Sequence, residues 1–178
     1  IQIMCGTEVP LLIIPTGTAN DLASELCLSS KIEQAVRTFL DKKIQSIDLI
    51  SVNKHLMSTC GGIGISSEVA GKINDLRLDF PWFKKFVSLV GPGIYPLVLG
   101  IYFLRKLQSH RLQIISPDFL ESNNIQEASM VMINNQSVLG KNFIVAPGTK
   151  NNDGKFNVTI FKHKNKLSLI QAVMMIGL

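Results

Sequence analysis

The stretch from Leu11 to Ala23, Leu-Leu-Ile-Ile-Pro-Thr-Gly-Thr-Ala-Asn-Asp-Leu-Ala, constrains this chain most, because it passes from an aliphatic run through Pro15 and Gly17 into a helical pattern. It predicts a strand, a loop able to hold a phosphate, and a helix. Four consecutive aliphatic residues suit a strand buried on both faces, Pro15 ends its ladder by lacking an N–H, and Gly17 lets backbone amides come close to an anion. Thr18 and Asp21 have the spacing of a capping box, and the free N–H groups of a helix N-terminus favour negative charge. Gly17, Thr18, Asn20 and Asp21 are therefore the candidate phosphate-binding residues, with Asp21 placed near any phosphate and its metal. An ordinary strand-to-helix turn uses the same residue types.

The chain has 178 residues, of which 46% are hydrophobic and 17% charged, as expected for one domain or a piece of a larger protein. Its net charge of +5 favours anionic partners such as nucleotides or an acidic membrane surface. The cationic residues are scattered, with a local group at Lys162, Lys164 and Lys166 and no aromatic-interleaved basic stripe, so no nucleic-acid partner is expected. Cys5, Cys27 and Cys60 are widely spaced and suggest neither a disulfide framework nor a zinc site, which fits a reducing cytoplasm. His55, His110 and His163 are likewise isolated and read as non-catalytic. The start at Ile1 and the stop at Leu178 inside an apolar run lead us to expect an internal fragment.

After the loop, Ser30-Lys31-Ile32-Glu33 has the pattern of a second capping box, and Ile32, Val36, Phe39 and Leu40 share one helical face. Strands are expected at 44–52 and 56–60 around a turn at Asn53-Lys54, and then at 112–115, 128–134, 142–146 and 155–161. Asn134-Asn135 and Asp153-Gly154 are turn signals, and Asn152-Asp153-Gly154 has the composition of a type I′ hairpin turn. A final helical pattern begins at Leu167. Phe86 to Leu104 holds no charged residue and is bracketed by basic pairs, as a membrane span would be. Pro92, Pro96 and three glycines interrupt it, so a buried helix broken by a turn is the expectation, with peripheral membrane contact left open.

Pro15 to Ala23 resembles the Pro-x-Gly-Thr-x-Asn-Asp-Phe-Ala block of the diacylglycerol kinase and sphingosine kinase superfamily of lipid kinases, particularly its soluble bacterial members. The resemblance continues in order along nearly the whole chain. Ser46 to Leu49 resembles the Val-Asp-Leu block that begins the family's second domain, and Gly61 to Val69 its Gly-Phe-Gly-Phe-Asp-Ala-Glu-Val segment. Val90 to Tyr95 is similar to its Leu-Gly-x-x-x-Tyr stretch. Asn134 to Gly140, Phe143 to Thr149 and Asn152 to Phe156 resemble its Asn-x-x-x-x-Gly-Gly, Ala-Pro-x-Ala and Asp-Asp-Gly-x-Leu series.

The resemblance implies a fold that is α/β plus β-rich: residues 1–43 as the end of an α/β nucleotide-binding domain, and 44–178 as an incomplete, sandwich-like β-rich second domain with flanking helices. The active site would lie in the cleft between them. It implies ATP and magnesium as cofactors and a diacylglycerol-like or sphingoid lipid at a membrane surface as the phosphate acceptor. Asp48 would join Asp21 in an acidic network around magnesium, since an acidic residue among apolar neighbours needs its charge compensated. A solvent-facing Asp48 at a strand end is the alternative.

Asp153 is a weaker metal candidate, because Asn152 replaces one Asp of the family's pair and the turn alone explains these residues. Gly62, Ser66 and Glu68 are candidates for the acceptor side, although Ser66 stands where the family carries Asp, which leaves the lipid open. Ser24 stands where some bacterial members have a phosphate-binding Arg. The Gly-Gly-Asp-Gly-Thr loop would precede Ile1 and the general base, in an Asp-Gly-Glu block, would follow Leu178, so this chain alone is expected to be inactive. An NAD kinase-type phosphotransferase and a non-catalytic lipid- or nucleotide-binding regulatory module are the alternatives. Self-association is left open, and the expected location is the cytoplasm, with peripheral contact at the inner membrane surface left open.

Overall fold

The computed structural model describes residues 1–17, 19–91, 98, 110–113, 115, 125–140 and 143–162. They form a mixed α/β structure with small sheets of two or three strands. Contacts divide the chain into two compact units, one from 1–61 and 133–157, the other from 62–132 and 158–177.

In the first unit, α1 (Asp21–Glu25) and α2 (Ile32–Leu40) precede the antiparallel pair β1 (Ile50–Val52) and β2 (His55–Met57). Asn53 and Lys54 join these strands with φ of 49° and 69°, the paired left-handed conformation of a tight hairpin turn, at the position the sequence predicts. A second short pair, β7 (Val138–Leu139) and β8 (Phe143–Ile144), follows later in the chain.

Several expectations are corrected here. Residues 11–14 form no strand, and Leu11 and Ile14 are exposed, because no neighbouring segment among the described residues supplies the ladder partners that define a strand. Of the expected strand 44–52 only the last three residues, Ile50–Val52, become β1, and 44–49 joins no sheet. Lys31, not Ser30, occupies the α2 N-cap, and its N–H is taken by the Ser29 hydroxyl, so the expected capping box does not form. The face carrying Ile32, Val36, Phe39 and Leu40 is exposed, Phe39 to 56%. Phe39 and Leu40 border an open groove of about 850 Å³ shared with Leu11, Leu12, Ile13 and Leu28.

The second unit holds most residues of a sheet in the order β3-β6-β9, comprising β3 (Cys60–Gly64), β6 (Met130–Asn134) and β9 (Asn157–Phe161). Helices α3 (Ile65–Asp79) and α4 (Pro81–Val90) and the antiparallel pair β4 (His110–Gln113) and β5 (Ile125–Ala128) complete it. Ile65, Val69 and Ile73, spaced four apart on α3, bury against Phe83 and Val87 of α4 and against Val98. Each such side chain contributes roughly 2 kcal/mol of burial.

Local chemistry fixes the joints of this unit. Gly64 has φ 87° and ψ −143°, and a Cβ placed on it would lie 2.2 Å from the Ser129 carbonyl oxygen, so the chain passes from β3 into α3 only through a glycine. Phe80, held extended before Pro81, separates α3 from α4, and Pro81 starts α4 where its missing N–H costs nothing. Gly91, with φ 62°, closes α4. No described helix is long and apolar enough to cross a membrane. The remainder of the apolar stretch beyond Gly91, apart from Val98, and the helical pattern after Leu167 lie outside the described residues.

Candidate functional site

The loop ahead of α1 closes on itself. Gly17 N–H donates to Asn20 Oδ1 at 2.7 Å, and Asn20 Nδ2 donates to the Gly17 carbonyl at 2.8 Å. Asn20 adopts the left-handed conformation, φ 56° and ψ 37°, that asparagine tolerates better than most residues, and it takes the N-cap position. The expected cap was Thr18, which lies outside the described residues. Asn20 caps by position only, since its side chain turns back to Gly17 rather than to the helix. With five residues, α1 sums few peptide dipoles, so the loop, more than the helix field, would have to hold an anion.

Asp21 follows directly and reaches far along the chain. Its Oδ2 accepts the Gly140 N–H at 2.9 Å, tying the start of α1 to the end of β7. Burial raises the Cys60 thiol pKa above its ordinary 9.0, the nearby Asp21 carboxylate raises it further, and a hydrogen bond with Thr59 opposes both. The unfolded thiol thus ionises first, so Cys60 costs no stability below about pH 9 and destabilises the fold as pH rises from there through its folded pKa.

Asp48 is half-buried and lies just ahead of β1, not within a strand. Its N–H donates to the Asn151 carbonyl at 2.7 Å, and its Oδ2 accepts the Gly154 N–H at 2.7 Å. The carboxylate is therefore compensated at least in part by a turn amide. Asn135 completes the arrangement: fully buried, its Nδ2 donates to the carbonyls of Asp48 at 2.8 Å and Ser58 at 3.1 Å, and its own N–H donates to the Thr59 carbonyl at 2.7 Å. The buried Oδ1 of Asn135 and Oε1 of Gln136 have no hydrogen-bond partner among the described residues. Asn135 thus links the segment of Asp48 to that of Thr59 and Cys60, the latter beside Asp21.

The 151–154 turn differs from the expected type I′ hairpin. Gly154 has φ 72°, whereas Asp153 does not adopt positive φ, and no paired strands flank the turn. Exposed Asp153 accepts the Lys155 N–H at 3.1 Å through its own Oδ1. Among the described residues no three His, Cys, Asp or Glu side chains gather as a metal cage. Magnesium does not require one: it commonly keeps its waters and takes one or two carboxylates together with substrate phosphates, a demand that Asp21 and Asp48 fit in kind.

The other candidates lie in the second unit. Gly62 is on β3, and a Cβ there would meet the Val131 carbonyl at 2.7 Å and Ser66 Oγ at 2.9 Å, so close strand packing already requires a glycine. Ser66 Oγ is buried without a hydrogen-bond partner among the described residues. Glu68, exposed on α3, has Oε1 3.9 Å from His110 Nε2 on β4. Sequence reasoning missed Asn135, Gly140 and His110. The sequence marked Asn134-Asn135 as a turn signal and as the start of a block resembling the lipid kinases but gave Asn135 no role of its own, although the pair directly ends the apolar run 130–133 of a buried strand.

Residues 1–52, which contain the Gly17–Asp21 loop and Asp48, match the diacylglycerol kinase catalytic domain. A Staphylococcus carnosus protein named for lipid kinase activity is 28% identical over 92% of this chain and 49% of its own length. The diacylglycerol kinase of Mycobacterium tuberculosis is 21% identical over 96% of this chain and 53% of its length. Two Bacillus anthracis crystal structures of the diacylglycerol kinase class share the fold. One has a TM-score of 0.60 at 20% identity, covering 91% of this chain and 48% of its own; the other has 0.66 at 21%, covering 92% and 51%. Over nearly its whole length the chain is similar to bacterial lipid kinases, and the match to the diacylglycerol kinase catalytic domain covers its first 52 residues. It spans about half the length of the curated relatives it matches.

Proposed function

We propose that the chain carries part of the nucleotide and acceptor sites of an ATP-dependent lipid kinase. In this reading residues 1–43 end the nucleotide-binding domain and 44–178 belong to the β-rich second domain. Gly17, Thr18, Asn20 and Asp21 line the nucleotide phosphates, and Asp21 and Asp48 hold magnesium through its waters. When bound, the ion would spread the charge that develops on the phosphates during transfer. The observation that carries the reading is the loop from Gly17 to Asp21, closed by its own hydrogen bonds and located inside the segment that matches the kinase catalytic domain.

The reaction is in-line transfer: the acceptor hydroxyl oxygen bonds to the γ-phosphorus, the bond to the β-phosphate oxygen breaks, ADP leaves, and the hydroxyl proton passes to a base. The work of this chain is alignment, which supplies much of the rate in such reactions. The Asp21 to Gly140 and Asp48 to Gly154 hydrogen bonds hold both carboxylates at fixed places on the backbone. On the acceptor side, Ser66 Oγ, buried and without a hydrogen-bond partner among the described residues, would reach a polar lipid headgroup only if its cover opened, and Glu68 lies two residues further along α3 on another face.

The test is calorimetric titration of ATP with magnesium into the full-length protein and its Asp21→Ala variant, paired with labelled ATP and a panel of diacylglycerol and sphingoid acceptors. Magnesium-dependent affinity at least about tenfold weaker in the variant is expected from loss of a charge-assisted contact. Unchanged affinity in the variant overturns the assignment of Asp21, and absence of phosphorylated lipid from the whole panel overturns the kinase reading.

A further inference from the structure

Residues 135–140 run between the anchors of the two candidate metal carboxylates. At one end the Asn135 amide donates to the carbonyls of Asp48 at 2.8 Å and Ser58 at 3.1 Å, and at the other the Gly140 N–H donates to Asp21 Oδ2 at 2.9 Å. Both donors are buried, and every group they hold lies in the first unit. The sense of the amide is fixed by what it meets: turned over, its oxygen would face two carbonyl oxygens. Asp48 is therefore held at its carbonyl by Asn135, at its N–H by the Asn151 carbonyl and at its Oδ2 by the Gly154 N–H. A carboxylate that only faced solvent at a strand end would need none of these.

The stretch between the two donors is itself braced. Gln136 Nε2 donates to the Val138 carbonyl at 2.6 Å, and the Ser137 hydroxyl donates to the Thr149 carbonyl at 3.1 Å. The Ser137 carbonyl accepts the N–H groups of Val145 at 3.0 Å and Ala146 at 3.2 Å, and Val138 and Leu139 pair with Ile144 and Phe143. Gly140 then has φ 60°, a backbone conformation that L side chains avoid, although a Cβ there would only touch Phe143 at 3.6 Å. Conformation, not space, calls for glycine at the point where the chain meets Asp21.

We propose that residues 135–140 form a brace that sets Asp21 and Asp48 relative to one another, with Asn135 and Gly140 as positioning residues for magnesium and the nucleotide phosphates. The proposal deepens the kinase reading and rests on its assignment of Asp21 and Asp48 to magnesium. That ion demands near-ideal octahedral geometry, and groups that orient a metal's ligands govern its affinity alongside the ligands themselves. The ring of Gly17 and Asn20 makes its hydrogen bonds within the loop, so contact between the loop and a phosphate does not pass through the brace. Loss of the brace should therefore weaken nucleotide binding with magnesium and spare it without.

The test is a double-mutant cycle on the full-length protein, with Asn135→Leu, Asp48→Ala and the double variant titrated calorimetrically with ATP in the presence and absence of magnesium. Asn135→Leu keeps the branching of the side chain, removes its donor and adds no charge. Each single variant is expected to bind ATP with magnesium about tenfold more weakly, and without the metal to within about twofold of the parent. Asn135→Leu should have no further effect once residue 48 is alanine, because it acts through Asp48. Gly140 tests the other end should Asn135→Leu fail to fold: Gly140→Ala should weaken the magnesium titration about fivefold, and Gly140→Asn, which tolerates positive φ, should restore it. In metal-free protein, amide exchange at Gly140 and Gly154 should be about tenfold faster in Asn135→Leu, with the α3 amides unchanged.

Equal weakening with and without magnesium, or additive effects of Asn135→Leu and Asp48→Ala, overturns the positioning role and leaves only a structural one. Parent-like magnesium-dependent affinity in Asn135→Leu and Gly140→Ala, where Asp48→Ala is weakened, overturns the brace and leaves the kinase reading standing. Parent-like affinity in Asp48→Ala and Asp21→Ala, with faster exchange at Gly140 and Gly154 in Asn135→Leu, supports the brace and overturns the magnesium reading, so the two failures are distinguishable.

Discussion

Around α3 and α4, Ile65, Val69, Ile73, Phe83, Val87 and Val98 exclude water with no polar group among them. Around Asp48, by contrast, the chain is held by a buried amide and turn N–H groups acting across long sequence distances: Asn135 to Asp48 and Ser58, Gly154 to Asp48, and Gly140 to Asp21. The first arrangement tolerates any side chain of suitable volume. The second depends on individual donors, and removing one leaves a buried carbonyl without a partner. The kinase-matching segment is held mainly in the second way, which keeps two carboxylates in fixed positions without filling the space beside them.

The largest effect should come from breaking the apolar side of that comparison. Ile73→Ala empties a fully buried position and is expected to cost about 3 to 4 kcal/mol in urea unfolding. Gly64→Ala is expected to cost about 3 kcal/mol, because the new Cβ meets the Ser129 carbonyl in a backbone conformation that L-residues avoid. On the polar side, Asn135→Ala should cost about 2 kcal/mol, with the carbonyls of Asp48 and Ser58 each losing a donor. If it costs less than about 0.5 kcal/mol, water replaces the amide and the contrast between the regions fails.

Two smaller effects sharpen the comparison. Cys60 should be alkylated later in a pH series than the exposed Cys5 and Cys27, and Asp21→Asn should speed its reaction about twofold near pH 8 by removing the neighbouring charge. Mass spectrometry of the three thiols reads this directly. Phe39→Ser on the exposed face of α2 should shift stability by less than about 0.5 kcal/mol. A larger loss would mean that this face is covered in the folded protein.

The sequence made some of this legible for physical reasons. Asn53-Lys54 was readable as a turn because the restriction is local, and the loop from Pro15 to Asp21 was readable through its ordered resemblance to the lipid kinases. Helical spacing placed Ile32, Val36, Phe39 and Leu40 on a face that is exposed here, because periodicity marks a face without naming what covers it, and the core of Ile73, Phe83 and Val87 was not read from the sequence. Leu11 to Ile14 failed as a strand because a ladder needs partners that a local pattern does not supply. Asn135 was hidden more deeply: its role is to donate to Asp48 and Ser58, 87 and 77 residues earlier, and nothing adjacent to it in sequence marks that reach.

The ring closed by Gly17 and Asn20 has a consequence for how this loop can vary. A Cβ on residue 17 would sit 2.9 Å from Asn20 Oδ1, so only glycine leaves room for the amide that completes the ring. Aspartate at 20 would keep the acceptor for the Gly17 N–H but set a carboxylate against the Gly17 carbonyl, and serine is too short to engage both groups. The two positions therefore constrain each other: changing either residue alone opens the ring and returns to the loop the chain entropy that the two hydrogen bonds remove.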